Sequence, residues 1–105
     1  MIKSGGENVA SREVEEMIYR LPQVSEVAVI GVPHPRWVEA VIAVVVIKAG
    51  QQLNEDEVLA HCAQHLAGFK TPKNVVFAPA LPKNPSGKLL KRELRMQYGA
   101  MYRAA

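Results

Sequence analysis

The segment Pro82-Lys83-Asn84-Pro85-Ser86-Gly87-Lys88 carries the strongest chemical signal in the chain. Two prolines restrict its backbone, and Gly87 permits a conformation that side chains disfavour, so a stiff loop presents one lysine at its end. A lysine ammonium is a compact charge with three rotatable donors, suited to gripping a phosphate or a carboxylate. The plain alternative is a surface turn leading into a basic helix. The loop is not a P-loop, because Gly-x-x-x-x-Gly-Lys-Ser/Thr is absent. Ser4-Gly5-Gly6-Glu7-Asn8 is a second candidate, since paired glycines let backbone pass where a Cβ would collide. It lacks the Gly-x-Gly-x-x-Gly dinucleotide fingerprint, and a plain hairpin turn would also explain it.

Other reactive residues form no constellation. His61 and His65 share a helix face at i and i+4 beside Cys62, but zinc sites want three or four ligands and no second cluster accompanies them. Exposed helix histidines are the simpler reading. His34 lies in a proline-rich stretch without a serine or aspartate partner, and Trp37 reads as a packing or domain-contact residue. No catalytic triad, carboxylate pair or self-contained metal site is present.

These residues need a scaffold. Ile2 to Val9 reads as a short turn-rich segment punctuated by Gly5-Gly6. A helix opens at Ser11 with Glu13, Glu15 and Glu16 in its first turns, buries Val14, Met17, Ile18 and Leu21, and stops before Pro22. Val24 to Val32 reads as a strand, Pro33-His34-Pro35-Arg36 as a loop, and Ala40 to Lys48 as a central strand covered on both faces. Asn54 with Glu57 forms a capping box opening a second helix. Leu59, Cys62, Ala63 and Leu66 supply its stripe, and Gly68 is its terminator. Val75 to Phe77 is a short strand, Ala80 to Lys88 a loop, and the pattern from Leu89 onward is helical. The expected fold is α+β: a small, mostly antiparallel sheet with about three helices packed against it.

Length and charge set the limits. The 105 residues suit one domain spanning 1–105, and an enzyme that activates ATP normally needs more wall than this. The composition, 49% hydrophobic and 22% charged, is that of a globular domain rather than a disordered tail. The longest apolar run, Val41 to Ile47, is far short of a membrane span, Met1-Ile2-Lys3-Ser4-Gly5-Gly6 is no secretory signal, and one cysteine fits a reducing, cytoplasmic setting. Residues 1–69 hold five Lys/Arg against nine Asp/Glu (−4), while residues 70–105 hold eight against one (+7). The basic third reads as a footprint for something anionic, whether nucleotide, coenzyme, nucleic acid or membrane surface, or as a solvated helix.

Taken together, Met1 to Val9, Arg12-Glu13-Val14-Glu15, Val27 to Pro33, Phe69-Lys70-Thr71-Pro72 and Leu81 to Leu94 resemble, in order and spacing, the C-terminal domain of adenylate-forming enzymes such as acyl-CoA synthetases. The resemblance implies ATP and CoA as substrates, with magnesium bound mainly by an N-terminal ATP- and acid-binding domain that this chain does not contain. It implies a fatty or related carboxylic acid, a small domain that swings between two orientations, and a chain inactive alone. By position, Lys88 is the adenylation lysine and Ser4, Gly5, Gly6, Glu7 and Asn8 line the pantetheine passage. Phe69, Lys70 and Lys73 are candidates to hold the nucleotide end of CoA. The family usually has glycine where Val38 stands. The chain's own N-terminal domain is the expected partner, with no nucleic acid. A lid that loads a carrier protein, and a basic module in which the helix Leu90 to Arg103 grips nucleic acid or a peripheral membrane surface, are the alternatives.

Overall fold

The computed structural model describes residues 2–102; Met1 and Arg103, named in the readings above, lie outside the described residues, as does the Glu7 side chain. The elements run β1 (Ile2–Ser4), β2 (Glu7–Val9), α1 (Ser11–Tyr19), β3 (Val24–His34), β4 (Val38–Ile47), α2 (Glu55–His65), a 3-10 turn (Gly68–Lys70), β5 (Asn74–Phe77) and α3 (Lys91–Tyr98). The architecture is α+β, as expected.

β4 is the organiser. It pairs antiparallel with β3 along its length and with β1 at Ser4 opposite Val38, and parallel with β5 over Ile42–Val45. A parallel neighbour needs a crossover, and α2 supplies it. Side chains alternate between the two faces of the β3–β4 ribbon. Val27, Val29, Val41, Ala43 and Val45 face one core with Val14, Ile18, Val58 and Cys62 of α1 and α2. Ala28, Ile30, Val32, Ala40, Ile42, Val44 and Val46 face another with Leu81 and Leu94. Burial on both sides explains why β4 is continuously apolar.

The expected loop at Pro33 is instead strand as far as His34. β3 is an edge strand, and Val27 and Val29 direct their N–H groups away from β4, to the Tyr19 hydroxyl (3.3 Å) and the Glu15 carboxylate (2.8 Å). Pro33 shares their parity, so its missing donor falls on the free edge and the ladder loses nothing. α1 thereby blocks an edge that could otherwise recruit another strand.

α2 has the predicted capping box: Asn54 Oδ1 accepts from Glu57 N–H (2.8 Å), and Glu57 Oε1 accepts from Asn54 N–H (3.1 Å). Its stripe is turned from the expected one. Val58 and Cys62 are fully buried, Leu59 and Leu66 flank them, and Ala63 is exposed, because the helix must meet both α1 and β5. Gly68 does not terminate it; the chain turns extended at Leu66, whose N–H still reaches the Cys62 carbonyl (2.8 Å). α3 starts at Lys91 rather than Leu89, because Leu89 is drawn into a bridge with Lys83 and Leu90 N–H donates to the Pro82 carbonyl (2.9 Å). It ends at Tyr98, short of the expected extent.

His61 is not simply exposed. It is half-buried, and its Nε2 lies 2.8 Å from the Met17 carbonyl, tying α2 to the end of α1. Among the described residues no group of three or more His, Cys, Asp or Glu is arranged to hold a metal, and no helix is long and apolar enough to cross a membrane.

Candidate functional site

The Lys88 loop is a miniature hairpin built around Asn84. Asn84 Oδ1 accepts from Ser86 N–H (3.1 Å), Ser86 Oγ–H (2.8 Å) and Lys88 N–H (2.9 Å). The Asn84 backbone closes the turn, donating to the Lys88 carbonyl and accepting from Gly87 N–H, each at 2.9 Å. Gly87 sits at φ +85°, which side-chain-bearing residues rarely adopt. Below the hairpin the Lys83 ammonium pairs with Glu26 at the start of β3. Lys88 itself is exposed, and its ammonium makes no hydrogen bond or ion pair among the described residues. Rigid backbone and unspent charge coincide there. Asn84 escaped the sequence reading, although asparagine bonding to backbone two residues on is a known turn device.

The glycine hairpin lies elsewhere. Gly5 (φ +59°) and Gly6 (φ +86°) form the two-residue turn between β1 and β2, a geometry in which both central residues need positive φ. Gly5 N–H donates to the Trp37 carbonyl (3.0 Å), and a Cβ at Gly5 would lie 3.6 Å from Trp37 Cδ1. Ser4 is buried behind the turn, Glu7 and Asn8 form the start of β2, and Asn8 is exposed.

A small aromatic and cationic surface adjoins it. His34 Nδ1 accepts from Arg36 and Trp37 N–H groups (3.0 and 3.2 Å), and its ring stacks on Trp37 at 4.0 Å. The Lys73 ammonium lies 4.5 Å from the centre of the Trp37 ring, within cation–π range. Phe69 is partly exposed on the 3-10 turn that packs beside β2. Thr71 Oγ1 is buried with no hydrogen-bond partner among the described residues. Lys70 is held differently from Lys73, because its ammonium is bonded to both oxygens of Glu13 (2.9 and 3.0 Å).

Two groupings therefore emerge. The hairpin and Lys73 gather around Trp37 at the β3–β4 turn, with the 3-10 turn that carries Phe69 beside β2. Lys88 belongs to a loop pinned at Glu26, and eight residues of strand from Glu26 to His34 span about 26 Å at ~3.3 Å each.

Val38 joins the first group unexpectedly. Its φ is +69°, and Glu39 N–H donates back to the Trp37 carbonyl (2.7 Å), making a γ-turn centred on a β-branched residue. One carbonyl thus serves both Gly5 and Glu39. A valine gives no sequence signal for positive φ; only the glycine usual at this position in the resembling family hinted at it.

Residues 13–88 match the family described as AMP-binding enzyme C-terminal domain. The chain belongs to that family. It is 48% identical over 100 residues to the long-chain-fatty-acid–CoA ligase FadD13 of Mycobacterium tuberculosis, covering 95% of this chain and 20% of that protein. It is 50% identical over 99 residues to a feruloyl-CoA synthase of Amycolatopsis sp., covering 94% of this chain and 20% of that one. The structure of ATP-bound MatB from Rhodopseudomonas palustris superposes with a TM-score of 0.96 at 43% identity, over 98% of this chain and 20% of MatB. The chain thus spans about a fifth of the length of these relatives. In each of these relatives the matched segment belongs to a chain about five times as long.

Among the described residues two titrating groups have shifted pKa values. Burial pushes the Cys62 thiol up to about 11, and burial, then the Glu55 carboxylate, raises the Tyr102 hydroxyl. Cys62 is a protonated packing group, not a nucleophile.

Proposed function

We propose that this chain is one domain, the mobile lid of an ATP-dependent acyl-CoA ligase acting on a fatty or related carboxylic acid, and that Lys88 serves its adenylation step. The observation that carries this reading is the Asn84-braced loop that holds at its end an exposed ammonium, unpaired among the described residues. Bringing a carboxylate to the α-phosphate of ATP crowds like charges, and a positioned ammonium stabilises the transition state as charge moves toward departing pyrophosphate. In the second half-reaction the thiol of CoA displaces AMP from the acyl-adenylate. The Gly5-Gly6 turn offers a wall without side chains to a slender thiol arm, and nothing crowds the position of a Cβ at Gly6. Lys73 and Phe69 fit the anionic and aromatic parts of CoA. Lys70 is a weaker candidate while Glu13 holds it. The separation of the two groupings favours presenting them in turn, by rotation of the lid on its own N-terminal domain. Magnesium accompanying ATP is assigned to that domain. A buried thiol fits a reducing, cytoplasmic setting.

Pairing within the chain speaks against a polyanion-binding module. Three of the four ion pairs among the described residues join the basic C-terminal third to acids of the N-terminal part: Lys70–Glu13, Lys83–Glu26 and Lys91–Glu15. The test uses a full-length ligase carrying this chain behind its N-terminal domain. Lys88→Ala lowers acyl-adenylate formation by about 10²- to 10³-fold while largely sparing thioester formation from preformed acyl-adenylate. Unchanged adenylation, or equal loss in both half-reactions, refutes the role.

A further inference from the structure

Glu15 is the carboxylate at which two layers of the fold meet. α1 packs on one face of the sheet and α3 on the other, and both reach the free edge of β3. There Glu15 Oε2 accepts from Val29 N–H (2.8 Å) and pairs with the Lys91 ammonium (2.7 Å), which also donates to Ser11 Oγ (3.2 Å). The pair is sheltered, with the Glu15 side chain 16% and the Lys91 side chain 28% exposed. Among the described side-chain bonds, those of Lys91 are the only ones joining α3 to the rest of the chain. Leu94 and the half-buried Tyr98 pack the middle and C-terminal end of α3 against the sheet, and this non-directional packing leaves the N-terminal turn to be held by Lys91.

Lys91 is the first residue of α3 and stands three residues after Lys88. The intervening Leu89 and Leu90 are held to Lys83 and Pro82, so they transmit the position of Lys91 to the loop as a short rigid stalk. The other stalk is pinned by Lys83 to Glu26. We infer that Glu15 is a positioning residue for Lys88: it aims the adenylation loop by clamping the N-terminus of α3 to α1 across the edge of β3. The inference rests on the reading of Lys88 above. Glu15 touches no reactant. Its effect belongs to the half-reaction in which Lys88 is presented and is absent from the one in which the glycine hairpin is presented.

The test separates clamping from simple support of the fold. Glu15→Gln keeps an oxygen for Val29 N–H and removes the charge that holds Lys91. In the full-length ligase this variant lowers adenylation about tenfold, as expected for losing one sheltered charge-assisted interaction, with thioester formation from preformed acyl-adenylate unchanged when both are assayed well below the thermal midpoint, which falls by a few degrees. Lys91→Met gives a similar loss, Lys91→Arg restores most of the rate, and the Glu15→Gln/Lys91→Met double variant is no worse than either single one because both remove the same contact. In the 105-residue chain, amide hydrogen exchange at Ser86, Gly87 and Lys88 quickens in Glu15→Gln. Full adenylation in Glu15→Gln, equal loss in both half-reactions, or multiplying losses in the double variant overturns the inference. Lys88→Ala, run alongside, distinguishes the failures. If it leaves adenylation intact, the reading of Lys88 falls and this inference with it; if it abolishes adenylation while Glu15→Gln does nothing, only the positioning role of Glu15 falls.

Discussion

Val38→Gly makes the protein more stable. At φ +69° the valine Cβ crowds its own backbone, a strain of about 1–2 kcal/mol for an L-residue. Glycine removes it. Against that, glycine gives the unfolded chain more freedom, which costs about 0.5–1 kcal/mol. Little apolar burial is lost, because Val38 is 66% exposed. The balance is a gain of up to about 1.5 kcal/mol, and near 100 residues each kcal/mol raises the thermal midpoint by roughly 4–8 °C. Circular dichroism melts of the 105-residue chain measure this directly, and Val38→Ala is the control that matters. Alanine keeps a Cβ at positive φ, so it recovers little of the strain, whereas a benefit arising from loss of the β-branched side chain would appear equally in both variants. A Val38→Gly midpoint at or below wild type, or a gain matched by Val38→Ala, refutes the assignment of strain.

Two further outcomes follow from the geometry. Asn84→Ala removes three hydrogen bonds that converge on one oxygen, which loosens the loop and lowers adenylation in the full-length ligase by about 10- to 100-fold at ~0.5–1 kcal/mol per bond. Asn84→Asp keeps the acceptor and most of the rate, and equal rates for the two variants contradict the bracing role. For Cys62 the folded state holds the thiol proton until about pH 11 while the unfolded chain releases it near the ordinary thiol value of 9.0, so the unfolded state binds fewer protons between those limits. Its contribution to stability is therefore complete below about pH 9 and declines as pH rises toward 11. Urea midpoints at pH 8 and 10.5 fall less steeply in Cys62→Ala than in wild type, and parallel declines would remove the burial argument.

What the sequence disclosed follows the range of the forces involved. The α1 stripe, the Asn54–Glu57 box, the doubly covered β4 and the stiff Lys88 loop depend on residues within one or two turns of each other, and periodicity or local hydrogen bonding makes such features visible. The run of β3 through Pro33 was hidden because it depends on which side of the strand lacks a neighbour, a property of the sheet and not of the segment. Val38 was hidden for the opposite reason, since its residue type argues against the conformation that its neighbours Gly5, Trp37 and Glu39 impose. The charge asymmetry was read in only half its meaning. An acidic first part and a basic last third looked like an outward-facing footprint, yet Lys70, Lys83 and Lys91 find Glu13, Glu26 and Glu15 across 57 to 76 positions of chain. No local pattern can announce pairs at that separation. Once they are formed, Lys88 is distinguished less by its motif than by being a cation on the braced loop that finds no partner among the described residues.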